Sequence, residues 1–595
     1  MFNTVVSGTA SNMVPNTVIQ ATPGSALRLI PVITLALMLG PVFAGLVGTI
    51  LPAFGYLPAL GGGQFGLAIF QELLAVPGLG RSVWLSLFTG VTATIVSFLL
   101  VVLFCAAWYG TTWFRWLERL LSPLLSAPHV AVAIGFAFLI APSGWVMRVF
   151  SPGLTGYTQP PDITIIHDPY GVSLMLGLIL KEVPFLLLMT IAALGQVDAR
   201  RTQRVALSLG YGRMMAWLTG VLPQIYPQIR LPILAVLAFS LSVVDVALVL
   251  APTTPPPLAV QLLRWMNDAD LSLRFLASAG AVLQLGLVVL AILLWLVGER
   301  IIAAIATLIV TSGWRFQGDA SARVMVLITV VIMVSAVFLG VLGMAIWSFA
   351  GFWRFPMALP DQLVLRNWMR LGADLWSIIG LTALVASLAS AFAVVLSVLC
   401  LENEAQQLWR HRRGGRLPQP KPWRPPIMWL LYLPLLVPQV AFLFGVQVLL
   451  ILLALDGQFM SLVWAHLVFV LPYVFLSLGD AYRRFDDRYI RTSLCLGRGP
   501  VITWLVIKLP MLLRPILIAM AVGFAVSIGL FLPTILIGGG RFDTLTTEAV
   551  ALSAGGDRRQ IGVFTQLQLI LPLLAFSVAM ALPALLFRHR RGVQV

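Results

Sequence analysis

Two stretches of this chain repeat one another in residues that turn and dock a backbone. Leu209-Gly210-x-Gly212 followed by Leu222-Pro223 recurs as Leu496-Gly497-x-Gly499 followed by Leu509-Pro510, with equal spacing throughout. Glycine lets a chain turn sharply or approach a neighbour closely, and proline marks where it enters the next segment. Residues 200–209 and 213–221 are helix-compatible yet too polar for lipid. Each stretch therefore reads as a short helix, a turn and a second helix lying at a membrane face.

A second set of residues is ionisable and set in apolar surroundings: Lys181 and Glu182 in one segment and Asp245 in another. Such groups are costly inside a bilayer and face a partner or a polar cavity. Lys181 and Glu182 are sequence neighbours and point in different directions on a helix. Two readings follow: a structural ion pair of Lys181 with Asp245, or a solute pathway lined by Lys181, Glu182, Asp245 and the matching hydroxyls of Ser242 and Ser527. His466 has no second ligand at metal spacing and reads as a packed polar residue. The three lysines, Lys181, Lys421 and Lys508, never follow glycine, so the Gly-Lys-Ser/Thr phosphate cradle is absent and the chain does not hydrolyse ATP by itself. No Ser-His-Asp or paired-carboxylate constellation stands out, and neither a bound cofactor nor a metal is expected.

The elements that position these residues are membrane spans. Of 595 residues 59% are apolar and 10% charged, more apolar side chain than a soluble shell can hide. About twelve stretches reach the roughly 20 residues a spanning helix needs, and the short alternating segments of a β-barrel are missing. The spans fall near Leu27–Leu51, Ser82–Tyr109, Leu121–Ala141, Gly171–Leu194, Leu231–Leu250 and Ala277–Leu296. Six more fall near Val324–Trp347, Leu375–Leu401, Ile427–Leu455, Leu462–Leu478, Pro515–Ile537 and Val563–Phe587. Pro184, Pro472, Pro128 and Pro438 read as helix kinks or gating hinges.

The net charge of +16 sits in alternate loops: Arg200, Arg201, Arg204 and Arg213; Arg410 to Arg424; Arg483 to Arg498; and Arg588 to Arg591. Intervening loops such as Ser143–Tyr170 are close to neutral. That is the positive-inside pattern, which places the basic loops and both termini in the cytoplasm and makes the lipid bilayer, not nucleic acid, the partner of the charge. Cys105, Cys400 and Cys495 are too scattered for a disulfide framework. The polar N-terminal residues lack a signal-peptide pattern, so the first span is expected to remain.

The duplication extends beyond the loops. Pro128-His129-Val130-Ala131 matches Pro438-Gln439-Val440-Ala441, Val183-Pro184-Phe185 matches Leu471-Pro472-Tyr473, and Phe239-Ser240-Leu241-Ser242 matches Phe524-Ala525-Val526-Ser527. The expected organisation is an all-α polytopic protein of two parallel six-helix repeats. Its parts are a tail at 1–24, a first repeat at 25–310, a linker at 311–322 and a second repeat at 323–595.

These loops resemble those of type I ABC importer permeases, whose pattern is Glu-Ala-Ala, three residues, Gly, a dozen residues, Pro. It maps onto Arg204-Val205-Ala206, Gly210 and Pro223, and onto Arg491-Thr492-Ser493, Gly497 and Pro510. The Gly-to-Pro part fits twice, whereas both halves carry arginine in place of the family glutamate. Two fused halves resemble the thiamine and ferric-iron group, and Leu180–Phe185 with Arg541–Arg559 looks most like its thiamine-type branch.

The resemblance implies a permease subunit in a bacterial inner membrane, with loops acting as coupling helices for two copies of a cytosolic ABC ATPase subunit that uses ATP and Mg. A periplasmic binding protein would deliver a small solute such as thiamine, ferric iron or a polyamine. Residues carried over to the coupling loops are Arg204, Ala206, Leu209, Gly210, Gly212 and Pro223, with Arg491, Ser493, Leu496, Gly497, Gly499 and Pro510. The alternatives are an ion-coupled secondary transporter with twelve spans and a membrane enzyme acting on lipid-linked substrates.

Overall fold

A computed structural model describes residues 25–370, 372–413 and 430–588. The expected tail at 1–24, the basic residues 414–424 and the terminal Arg590 and Arg591 lie outside the described residues. Apart from a two-residue hairpin at Tyr56–Leu57 and Gly62–Gly63, the regular structure among the described residues is helical. Among the described residues ten helices are long and apolar enough to cross a membrane, or up to twelve if two sharply bent pairs each count as one span.

The first half runs α1 (Ser25–Ala53), α2 (Leu79–Trp108), α3 (Thr112–Ser126), α4 (His129–Ile140) and α5 (Val172–Leu194). It continues through the loop helices α6 (Ala199–Ser208) and α7 (Arg213–Gly220) to α8 (Leu222–Ser242), α9 (Asp245–Leu250), α10 (Leu258–Met266) and α11 (Leu273–Thr311). The second half follows the same order: α12 (Ala320–Phe349), α13 (Gly372–Arg413), α14 (Leu433–Leu436), α15 (Gln439–Leu452) and α16 (Phe459–Arg483). Its loop helices are α17 (Arg488–Cys495) and α18 (Pro500–Thr503), and α19 (Leu513–Ile528), α20 (Leu532–Gly538), α21 (Leu545–Ser553) and α22 (Arg558–Leu586) complete it.

The first helix of each half reaches across to the other half while also packing on the last helix of its own, α1 on α11 and α12 on α22. Helix α1 packs on α15 and α13 of the second half, and α12 packs on α4 and α2 of the first. Small residues make both crossings possible, because apolar tails give helices no reason to associate beyond close packing. A Cβ added to Gly48 would stand 2.9 Å from the Cα of Gly445, and one added to Gly340 would stand 2.8 Å from the carbonyl carbon of Gly135. The amide of Gly445 also donates to the Thr49 hydroxyl at 3.2 Å. Gly135 and Gly445 each lie seven residues after the paired Pro128 and Pro438.

Two expected spans are broken in both halves. Instead of a continuous Leu121–Ala141, α3 ends at Ser126 and Pro128 stands immediately before α4. In the second half the corresponding helices meet at 105° across Val437 and Pro438. These prolines sit at helix starts, where a missing N–H costs nothing, so they are not kinks within a helix. Pro184 and Pro472 do lie inside helices.

The expected Leu231–Leu250 and Pro515–Ile537 are likewise split, at Val243–Val244 and at 529–531. Backbone groups freed in a membrane need internal partners. Gln284 donates to the Leu241 carbonyl at 2.8 Å, and Thr546 donates to that of Ile528. Ser86 accepts from the Leu258 amide at 2.9 Å, as Thr382 accepts from that of Leu545 at 3.1 Å. The connector between helices is 312–319, shorter than the expected 311–322 chiefly because α12 begins at Ala320.

At the face away from the loops, Arg148 donates to the carbonyls of Arg354 and Met357 at 3.1 and 3.3 Å, and Arg558 donates to the Ser143 hydroxyl at 2.6 Å. Both guanidiniums also lie over Trp347. These contacts join the halves there.

On this same face Asp168 starts α5. Its carboxylate accepts from the amides of Val172 and Ser173 at 2.8 and 2.9 Å and from the Ser173 hydroxyl at 2.6 Å. Partial burial raises its pKa, but these hydrogen bonds win and hold it below the usual carboxylate range.

Candidate functional site

Both Gly-to-Pro loops lie at one face, as parallel repeats require. Each is a helix closed by the same turn. In the first, Gly210 donates to the Leu207 carbonyl at 3.0 Å and Tyr211 to that of Ala206 at 3.3 Å. In the second, Gly497 donates to Leu494 at 3.0 Å and Arg498 to Ser493 at 3.2 Å. This pairing is the Schellman C-terminus, which needs a left-handed residue after the cap. Gly210 has φ +85° and Gly497 φ +79°, conformations in which a Cβ is strained. Gly212 and Gly499 then start α7 and α18, and Pro223 and Pro510 occupy the first turns of helices that lead away from the loop.

The first loop buries Trp217 and Met214 on α7, and its Ala206 is half-buried. Ala216 is buried, and Ser493 bonds the Thr503 hydroxyl at 2.9 Å. Leu209 and Leu496 point outward, 56% and 77% exposed. Arg204 and Arg491, which replace the family glutamate, are exposed.

The surroundings of the two loops differ in ways the sequence did not signal. Residues 312–319 lie across the first. Gly212 donates to the Arg315 carbonyl at 3.0 Å, Gln317 donates to that of Gly210 at 2.9 Å, and the Met214 amide donates to the Asp319 carboxylate at 2.8 Å. Arg213 reaches the Tyr109 carbonyl at 2.9 Å, and burial together with nearby Arg323 lowers its pKa against the pull of Asp319. The second loop is held from beneath instead. Lys508 pairs with Glu402 at 2.7 Å, Tyr482 donates to the same carboxylate at 2.6 Å, and Trp504 donates to Tyr482 at 3.2 Å. Arg483 forks onto Glu404 at 3.0 and 3.1 Å. The charges were visible in the sequence, but nothing in their spacing paired residues 79 to 106 positions apart.

Of the two readings of the buried charges, the ion pair of Lys181 with Asp245 does not form. Lys181 donates to the carbonyls of Leu124 and Leu125, both at 3.1 Å, and of Ala127. These end α3, and a helix C-terminus offers unpaired carbonyls and the negative end of a dipole. Glu182 points the other way, accepting from Ser97 at 3.3 Å and from Ser240, and so ties α5 to α2 and α8. Ser242 bonds back to the Ala238 carbonyl at 2.8 Å.

Asp245 is half-buried and heads α9, immediately after the break in the fifth span. His466 bonds Ser527 at 2.8 Å and Thr534 at 3.1 Å. It is the packed polar residue the sequence suggested, and Ser527 is engaged with it. No cluster of metal-ligating side chains occurs among the described residues.

Over 573 residues the chain is 32% identical to the inner membrane ABC transporter permease protein YnjC of Escherichia coli, a match covering 94% of this chain and 97% of that protein. A 182-residue stretch is 22% identical to the spermidine/putrescine transport system permease protein PotC of Haemophilus influenzae, covering 31% of this chain and 68% of that one. No family model matches the chain.

Proposed function

This chain belongs to the inner-membrane ABC transporter permeases, and from that premise we propose that it forms both halves of an importer's translocation pathway and seats two cytosolic ATPase subunits on its loops. The observation that carries this reading is the twin Schellman turn. Two loops 287 positions apart in register, roughly half the chain, end in the same left-handed glycine and present an exposed leucine, Leu209 or Leu496, at one face. In this reading that face and both termini are cytoplasmic, and a periplasmic receptor delivers the solute at the other face.

The solute path is proposed to run between the halves past the broken fifth spans, because irregular backbone at membrane depth is tolerated where it lines a cavity or is buried in protein. Lys181 and Glu182 are taken up in helix-to-helix bonds, which leaves Asp245 beside the break. An acidic lining suits a small cation, and thiamine, ferric iron or a polyamine are the proposed solutes. The same uptake of Lys181 and Glu182 weighs against an ion-coupled transporter, which needs titratable groups free to exchange their ion.

The test is purification of the chain with its cognate ATPase, followed by ATP hydrolysis in vesicles with and without receptor and each solute. Stable co-purification and solute-dependent stimulation are expected. Uptake driven by an ion gradient without any ATPase would refute the proposal.

A further inference from the structure

The two loops have alike turns and unlike coverings. Nothing stands within 4 Å of where a side chain would leave Gly497 or Gly499. At Gly212 the same position is filled by the Phe316 carbonyl, and at Gly210 it faces the Arg315 guanidinium at 3.3 Å. The linker therefore lies backbone to backbone on the first turn, fixed by Gly212, Gln317 and Asp319. Its own aromatic side chains turn outward: Trp314 is 71% exposed and Phe316 63%, as is Leu209 of the turn at 56%.

Resting on the reading that these turns seat ATPase subunits, we infer that the linker is part of one docking surface and has no counterpart among the described residues around the other. The subunit on the first half meets Leu209 together with Trp314 and Phe316. The subunit on the second half meets the bare turn at Leu496. The reason is contiguity: the linker is bonded to Gly210 and Gly212, so a protein seated on Leu209 at the same turn also meets the linker. Large aromatics of this exposure are the side chains that anchor interfaces. Two identical ATPase subunits would then sit on unequal sites, one of them built partly from the chain segment that joins the halves.

Photo-crosslinking residues placed singly at positions 209, 314 and 496 of the full chain, in complex with its ATPase, test this. ATPase adducts are expected at all three. Adducts at 209 and 496 with only lipid adducts, or none, at 314 overturn the inference and leave the coupling role of the turns standing. Absence of ATPase adducts at all three removes the coupling role itself. As a second measure, the double variant Trp314→Ser, Phe316→Ser is expected to keep normal membrane abundance and to raise the ATPase concentration for half-maximal stimulated hydrolysis by about tenfold or more. An unchanged concentration dependence overturns the inference.

Discussion

Gly45 of α1 and Gly445 of α15 meet backbone to backbone, so that a Cβ on Gly445 would fall against the Gly45 carbonyl. This crossing and its counterpart at Gly135 and Gly340 hold each half's first helix on the other half. Gly445→Val and Gly135→Val are therefore expected to separate helices that have no room to yield, at about 1–3 kcal/mol each. Membrane abundance and the monodisperse fraction after detergent extraction report this. Normal values for both variants would show that the crossings open without cost.

Nothing lies within 4 Å of where a side chain would leave Gly497, so substitutions there test conformation and docking separately. Asparagine accepts the left-handed region better than other side chains, and Gly497→Asn is expected to retain most receptor-stimulated ATP hydrolysis. Gly497→Glu adds strain and a charge where the ATPase is proposed to sit, and it should lose stimulated hydrolysis at unchanged abundance. Gly210→Glu meets Arg315, so its effect includes a linker contact and reports less cleanly. Full stimulated hydrolysis in Gly497→Glu would argue that the second turn is an ordinary connector.

Lys508 and Glu402 are nearly buried, with side chains 3% and 13% exposed. Removing one charge strands the other, at about 3–5 kcal/mol for a buried pair. Lys508→Met should thus reduce folded yield strongly, and adding Glu402→Gln should restore much of it. Yield in the single and double variants, by fluorescence-detected chromatography, measures the coupling. Additive losses would deny the pair.

The absence of a bond between Lys181 and Asp245 predicts independence. Asp245→Asn should lower uptake per folded molecule more than yield, whereas Glu182→Ala, which releases Ser97 and Ser240, should cost about 1–3 kcal/mol and appear chiefly in yield. Lys181→Met should not rescue Asp245→Asn. Rescue of yield and uptake in the double variant would restore the ion pair and remove Asp245 from the pathway.

Orientation is testable by labelling. In a Cys495→Ser background, where Cys105 and Cys400 are buried, Arg204→Cys should escape an impermeant thiol reagent applied to intact spheroplasts. Leu154→Cys, 82% exposed on the far face, should react. The reverse pattern would invert the proposed topology.

The sequence by itself determined the solvent, the helical class, the duplication and the two turns. Apolar length dictates spanning helices, and a glycine that must be left-handed leaves the same mark at Gly210 and Gly497 wherever the rest of the chain goes. Pro128 and Pro438 marked the third spans, but periodicity gave no warning that the fifth spans break, because Val243–Val244 and 529–531 are apolar residues of the kind a continuous spanning helix carries. There the decision rests with partners distant in sequence, Gln284 for the Leu241 carbonyl and Thr546 for that of Ile528, which make interrupted backbone tolerable in a bilayer. That each first helix also crosses to the other half, whether Lys181 meets a carboxylate or a helix end, and which loop the linker covers were likewise settled only by the tertiary structure. Each depends on which elements approach in space, within one half for Lys181 and the end of α3 and between halves for the helix crossings, and a local pattern of residue types carries no record of that distance.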